Sequence, residues 1–232
     1  MASRSVRCGF LDPRQRAVDV TLPADVRRVA ARSGFGVVML GRVEVELNDS
    51  AAAVLPEAFA TAGAEPEDRL TLRTGLGVDV GRIGGRSGRG LCFGVHVGER
   101  RLLGTVPPGI TVAALAGWLA DLHVTSAAGT LHVRPRHAAW ATGRAPHVVL
   151  VLVLRSGARL LADVRPAYRP ARGTAGLAVA GGVLGRVTPP DRPPYLTLDA
   201  PGHVVHLLPS GPDGLDEVAA VGAGLTVEPV PA

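Results

Sequence analysis

Apolar residues in this chain recur at every second position over short stretches, and glycine or proline interrupts each stretch before a longer pattern can build. With 30 glycines and 19 prolines in 232 residues, few segments escape such a break. Period two is the repeat of a strand with one face buried. The spacing predicts strands over Ser5–Leu11, Ala17–Leu22, Gly36–Leu47, Leu70–Ile83, Leu91–Val97, Arg101–Val106, Thr130–Arg134, His147–Leu154, Arg159–Arg165, Gly176–Val187, Tyr195–Leu198 and His203–Leu208. Within them, Val43, Val45 and Leu47 alternate with the acids Glu44 and Glu46, a half-buried pattern. Val148 to Leu154 is apolar on both faces and predicts a strand covered on both sides.

Helical signals are fewer. Thr111 is placed to cap a helix reaching Leu122, along which Val112, Leu115, Leu119 and Leu122 recur at near-helical spacing. A second helix is expected from Asp49/Ser50 to Ala62, with Ser50 as cap, and a weaker one over Asp25–Arg32. From His147 onward only hairpins are expected. The resulting fold class is α+β and strand-rich, with a mixed α+β domain over residues 1–145 and an all-β domain with an acidic tail over 146–232.

Two stretches share a local pattern. Phe10–Ala31 passes through Thr21-Leu22-Pro23-Ala24-Asp25-Val26, and His96–Leu122 through Thr105-Val106-Pro107-Pro108-Gly109-Ile110, each read as strand, turn, strand, proline corner, helix. This order resembles the opening of ubiquitin-like β-grasp domains, including small secretion-associated modules of actinobacteria. The resemblance covers about 25 residues per copy and implies ββα units that serve as an interaction scaffold.

All 25 basic residues are arginine, and Asn48, Gln15, Ile83 and Ile110 are nearly alone of their kinds. Without a lysine there is no Walker-type phosphate loop, no kinase β3 lysine and no Schiff-base chemistry. The same bias reads as the codon usage of a GC-rich bacterium, in particular an actinobacterium. Aromatic residues make up 3% of the chain, so the core must be built from Val, Leu and Ala, and stacking platforms for nucleic-acid bases are disfavoured. Cys8 and Cys92 form no CxxC pair, which fits a reducing compartment. The first twenty residues carry no apolar export signal and the longest apolar run has seven residues, so a soluble cytoplasmic protein with no membrane span is expected.

Charge is uneven along the chain. Residues 133–172 hold eight arginines against the single acid Asp163, whereas 190–232 hold Arg192 against six acids. Such a basic stretch suits an acidic protein partner or an anionic ligand better than nucleic acid, given the few aromatics. The segment Gly81-Arg-Ile-Gly-Gly-Arg-Ser-Gly-Arg-Gly90 concentrates this character. Its glycines can expose backbone N–H groups, and Arg82, Arg86 and Arg89 with Ser87 offer forked donors, so these four are the expected anion-binding residues.

Catalytic and metal motifs are sparse. Gly75-x-Gly77-x-x-x-Gly81 is one residue too long for a dinucleotide fingerprint. His203 and His206 are three apart in a strand and point to opposite faces. Cys92 and His96 share a face but stand about 13 Å apart along a strand, too far for a nucleophile and its base. His132 and His137, joined by His123 or His147, could gather round a metal at the Arg134-Pro135-Arg136 turn. No acid lies between Asp121 and Asp163 to balance a dication there, so no metal and no cofactor are expected.

These readings favour a non-catalytic binding or scaffolding protein. Two alternatives remain open: an enzyme whose site forms only in the fold, drawing on Asp79, His96, His123, His132 or His137, and a subunit of a homo-oligomer or larger assembly.

Overall fold

The structure is a computed structural model that describes residues 4–10, 17–40, 43–51, 64, 66–83, 90–127, 130–135, 140–167, 176–190, 193–209 and 214–230. Among the described residues there are seventeen strands and two helices. The chain divides into two compact units: unit 1 comprises 1–8, 16–32 and 147–232, and unit 2 comprises 9–15 and 33–146.

The α+β reading is therefore corrected to a largely all-β chain. Residues Val26–Leu40 form strand β3, not the helix expected over Asp25–Arg32. Pro23–Val26 is a turn closed by Val26 N–H donating to the Pro23 carbonyl at 3.1 Å. The carbonyls that a helix would use are taken by Arg155, whose backbone N–H donates to Asp25 and whose Nε donates to Ala24. Asp49 and Ser50 lie in β4 (Val43–Ala51), so the second expected helix does not begin there; its remainder falls outside the described residues. With a strand where its helix should be, the first β-grasp-like copy fails. Only the second keeps its order, through β7 (Leu91–Val97), β8 (Arg100–Val106) and helix α1 (Val112–Ala120). Thr111 caps α1 as expected, its hydroxyl accepting from Ala114 N–H at 3.1 Å.

Unit 2 is an antiparallel sheet ordered β3-β4-β8-β7-β6-β5, with β5 at Pro66–Thr71 and β6 at Gly77–Arg82, beside a hairpin of β9 (Leu122–Ala127) and β10 (Thr130–Pro135). Alternation sorts its side chains. Val45, Val80, Phe93, Val95 and Leu102 face a core closed by Leu115 and Leu119 of α1 and by Leu131 and Val133 of β10. Burying small branched side chains on one face drives this assembly at roughly 25 cal/mol per Å² of apolar surface.

One charge sits in that core. Asp49 is buried and receives Arg100 Nε on one oxygen and the Leu131 backbone N–H, at 2.8 Å, on the other. Arg100 also reaches the Asp49 carbonyl at 3.0 Å. The pair ties β4 to β8 and to the hairpin.

Unit 1 contains the strand order β13-β14-β15-β16-β12-β11, over Leu177–Val179, Gly182–Val187, Tyr195–Ala200, His203–Pro209, Arg159–Pro166 and Trp140–Leu154, of which the last enters unit 1 at His147. A second sheet, β1-β2-β17, consists of Arg4–Gly9, Ala17–Leu22 and Thr226–Pro229. Helix α2 (Leu215–Gly224) packs on β15 and β16, in the region where only hairpins were expected. Its cap residue is Gly214, without a side-chain bond, so the sequence carries no strong start signal. Gly222 weakens helix propensity further, yet a Cβ there would come within 2.7 Å of Leu184 and 2.9 Å of Leu207. Close packing on the sheet, not propensity, makes this helix.

In β11, Val148, Leu150 and Leu152 are buried on one face; on the other, Val149 and Val151 are half-buried and Val153 is buried. The cover expected on both faces is thus partial. Leu150→Asp places an unpaired charge in the core and should cost about 4 kcal/mol or more, whereas Val151→Asp on the half-exposed face should cost less than half as much. Urea unfolding of both variants checks this, and equal losses would contradict the thinner cover over Val151.

Candidate functional site

The alternation that fills the core of unit 2 leaves Asp79, His96 and Arg101 on the opposite face. Register pairs Arg69 with Asp79, Thr71 with Gly77, and His96 with Arg101. Because the β6 residue facing His96 is Gly77, the imidazole has room to lean across it, the ring passing 3.8 Å from where a Cβ would stand. It then meets the next residue on that face, and His96 Nε2 lies 2.6 Å from Asp79 Oδ2. Arg69 Nε approaches Asp79 Oδ1 at 3.7 Å, with its side chain 73% exposed.

Arg101 completes the group. Its Nη1 donates to the carbonyls of Gly98 and Arg100, at 2.9 and 2.7 Å, while its Nε is buried and has no partner. At the other end of the face, Ala64 packs against Cys92 and Ile83. Arg69 and Thr71 are exposed, so the group lies toward solvent.

Of the expected catalytic candidates, the fold brings Asp79 and His96 together. His123 stands opposite Arg134, and His132 opposite Thr125, on the β9–β10 hairpin. His137 lies outside the described residues, and among the described residues no three His, Cys, Asp or Glu groups converge as metal ligands. Of the expected anion-binding residues, Arg82 ends β6 and is exposed; Arg86, Ser87 and Arg89 lie outside the described residues. The stem of that segment is well formed. Arg82 pairs with Leu91, and Ile83 N–H donates to the Gly90 carbonyl at 3.1 Å. Gly90 has φ of 119°, and a Cβ there would collide with the Val106 carbonyl oxygen, so no other residue fits.

Sequence reading did not single out Arg101, because its place beside His96 depends on register across a hairpin. It also missed a second polar group, in unit 1. Asp163, 7% exposed, faces His206 in register, and Thr197 faces His206 from the other side. Arg165 binds Asp163 Oδ2 through Nε, at 2.9 Å, and Nη2, leaving Oδ1 buried without a partner. Burial, then the Arg165 charge, hold the His206 imidazole below its ordinary pKa despite Asp163 and Asp199. His203 points to the opposite face, its Nδ1 3.2 Å from the Pro201 carbonyl, as the three-residue spacing required.

The cysteines are free, Cys8 in unit 1 and Cys92 in unit 2. Burial raises each thiol from near 9 to about 11, so neither supplies a thiolate nucleophile at neutral pH. A native thiol that keeps its proton to about 11, where the unfolded one releases it near 9, loses stability as pH rises through that window. Denaturant midpoints should fall between these pH values, and the Cys8→Ala/Cys92→Ala variant should fall less steeply; parallel curves would refute the burial effect. No family model, no curated protein and no solved structure matches the chain.

Proposed function

We propose that the protein is a non-catalytic binding protein that takes the acidic surface of a protein partner, or another anionic group, at the arginine-bearing end of the β6–β7 hairpin. One observation carries this reading: the glycine-arginine segment joins two strands whose pairing is regular up to Ile83 and Gly90. A sheet that holds a charged connection at its end is the usual arrangement of a recognition loop on a rigid scaffold. Arginine supplies planar, forked donors suited to carboxylate, and every base in that segment is arginine.

The triple variant Arg82→Ala/Arg86→Ala/Arg89→Ala should elute from a heparin column at lower salt than the parent. Its unfolding free energy should change by less than about 1 kcal/mol, as for surface substitutions. Elution at the same salt overturns the proposal.

The Asp79–His96 contact favours a second reading, an enzyme in which His96 is a proton-transfer group oriented by Asp79. A carboxylate that fixes one ring nitrogen sets the role of the other. Under this reading the parent should turn over a member of a panel of activated carboxylic and phosphoric esters, and His96→Gln should abolish the turnover. A parent that is inactive across the panel removes the support.

A further inference from the structure

We infer that β13 is the contact strand of a homodimer, in which the open edges of two copies pair antiparallel, centred on Ala178, and extend the sheet of unit 1 from one molecule into the next. The inference concerns a surface apart from the hairpin end and stands whether or not that end takes an anion.

A line of core side chains leads to this edge. Register places Val148 of β11 opposite Val164 of β12, Val164 opposite Val205 of β16, and Val205 opposite Leu198 of β15. It continues with Leu198 opposite Leu184 of β14 and Leu184 opposite Leu177 of β13. Residues directly opposite one another share a face of the sheet, so these side chains form one apolar line from β11 to β13. All are buried except the last. Leu177 is 66% exposed, the most exposed large apolar side chain among the described residues. The strand order ends at β13, so the line stops for lack of a neighbouring strand and not for lack of an apolar residue.

Sheet edges are normally defended against pairing by charge, proline or a bulge. β5, an edge of unit 2, carries exposed Asp68 and Arg69 and a shift of register next to Pro66. β1, an edge of the second sheet of unit 1, carries exposed Arg4 and Arg7. β13 reads Leu-Ala-Val, without charge, proline or a break in its register. The same composition selects the occupant. In an antiparallel pair of identical strands each residue meets one from its own strand, so a charged edge repels its copy and a neutral one does not. Pairing centred on Ala178 sets Leu177 of one copy against Val179 of the other, and residues two apart share a face, so both continue the buried line.

The backbone is oriented for this pairing. A two-residue turn, Ala180–Gly181, joins β13 to β14, and Val179 and Gly182 close it. The closing pair of such a hairpin is hydrogen-bonded, and bonded and unbonded pairs alternate along it. The N–H and C=O of Ala178 therefore point away from β14, to the open side, where two copies exchange both bonds. A strand of 3 residues makes a small interface, which predicts a weak dimer that dilution separates.

The test uses the full-length protein. Sedimentation velocity over a dilution series from about 1 mM to about 1 µM should show a monomer–dimer equilibrium. Amide exchange at Ala178 should slow as the dimer accumulates. Leu177→Lys, at a side chain already two-thirds exposed, should leave the fold intact and weaken association about tenfold or more. Mixed with Val179→Glu, it should associate more tightly than either variant alone, because the pairing puts the opposite charges face to face. Should the variants fail to fold, Ala178 exchange in the parent decides.

A parent that stays monomeric throughout the series overturns the inference. So does a dimer whose affinity Leu177→Lys leaves unchanged, or one that forms without slowing exchange at Ala178. A monomeric parent whose Ala178 amide signal shifts with the extended peptide Thr-Val-Thr-Val-Thr assigns the edge to a foreign strand and likewise overturns the second copy.

Discussion

The contact between Asp49 and Arg100 fixes more of unit 2 than its size suggests. Two arginines stand side by side in β8, and strand alternation must send one to the core and the other to the polar face. Asp49 decides which. It holds Arg100 on the buried side, and Arg101 must therefore face His96. A slip of one residue would exchange the two and would also turn Leu102 outward. A buried ion pair adds little net stability over an apolar pair of the same shape, but leaving one partner alone in the core costs several kcal/mol, about 3 to 5. Its contribution is thus to register. The polar group on the opposite face inherits its geometry from a contact it never touches.

Small side chains set the rest. With aromatic residues at 3%, the cores depend on valine and leucine packed at close range, and close range requires glycine where elements meet. Gly222 lets α2 settle against Leu184 and Leu207, and Gly90 lets the β6–β7 stem pass the Val106 carbonyl. The same residues that break helical patterns in the sequence are the ones the packing needs. Helix α2 shows the consequence: an uncapped, glycine-bearing segment becomes helical because Val218 and Val221 find a sheet to cover.

The two units each carry a carboxylate and a histidine on adjacent strands, diagonal in unit 2 and directly opposite in unit 1, with different outcomes. In unit 2, Asp79 meets His96 directly and lies at the solvent-facing end of its face. In unit 1, Asp163 is taken by Arg165 on one oxygen, and His206, opposite, packs against Tyr195 with ring centroids 5.6 Å apart. The difference follows from the neighbouring side chains. Gly77 leaves His96 room to lean across to Asp79, whereas Asp163, directly opposite His206, is held by Arg165.

Strand content was legible in the sequence, because a period of two with glycine and proline breaks is a local property: Leu91–Val97 and Ala17–Leu22 have the ends the pattern predicts, whereas Gly36–Leu47, Leu70–Ile83 and Gly176–Val187, each read as one strand, divide into two paired strands. The Thr111 cap and the α1 stripe were legible for the same reason. The exclusions that follow from an absence of lysine also belong to the sequence alone. Tertiary structure decided the remainder. Arg155 took the carbonyls that would have made Asp25–Arg32 a helix, the sheet made α2, and cross-strand register brought Asp79, His96 and Arg101 together. None of these is encoded by spacing along the chain, since each depends on which residue a partner strand places opposite, and register is set by the burial of whole faces.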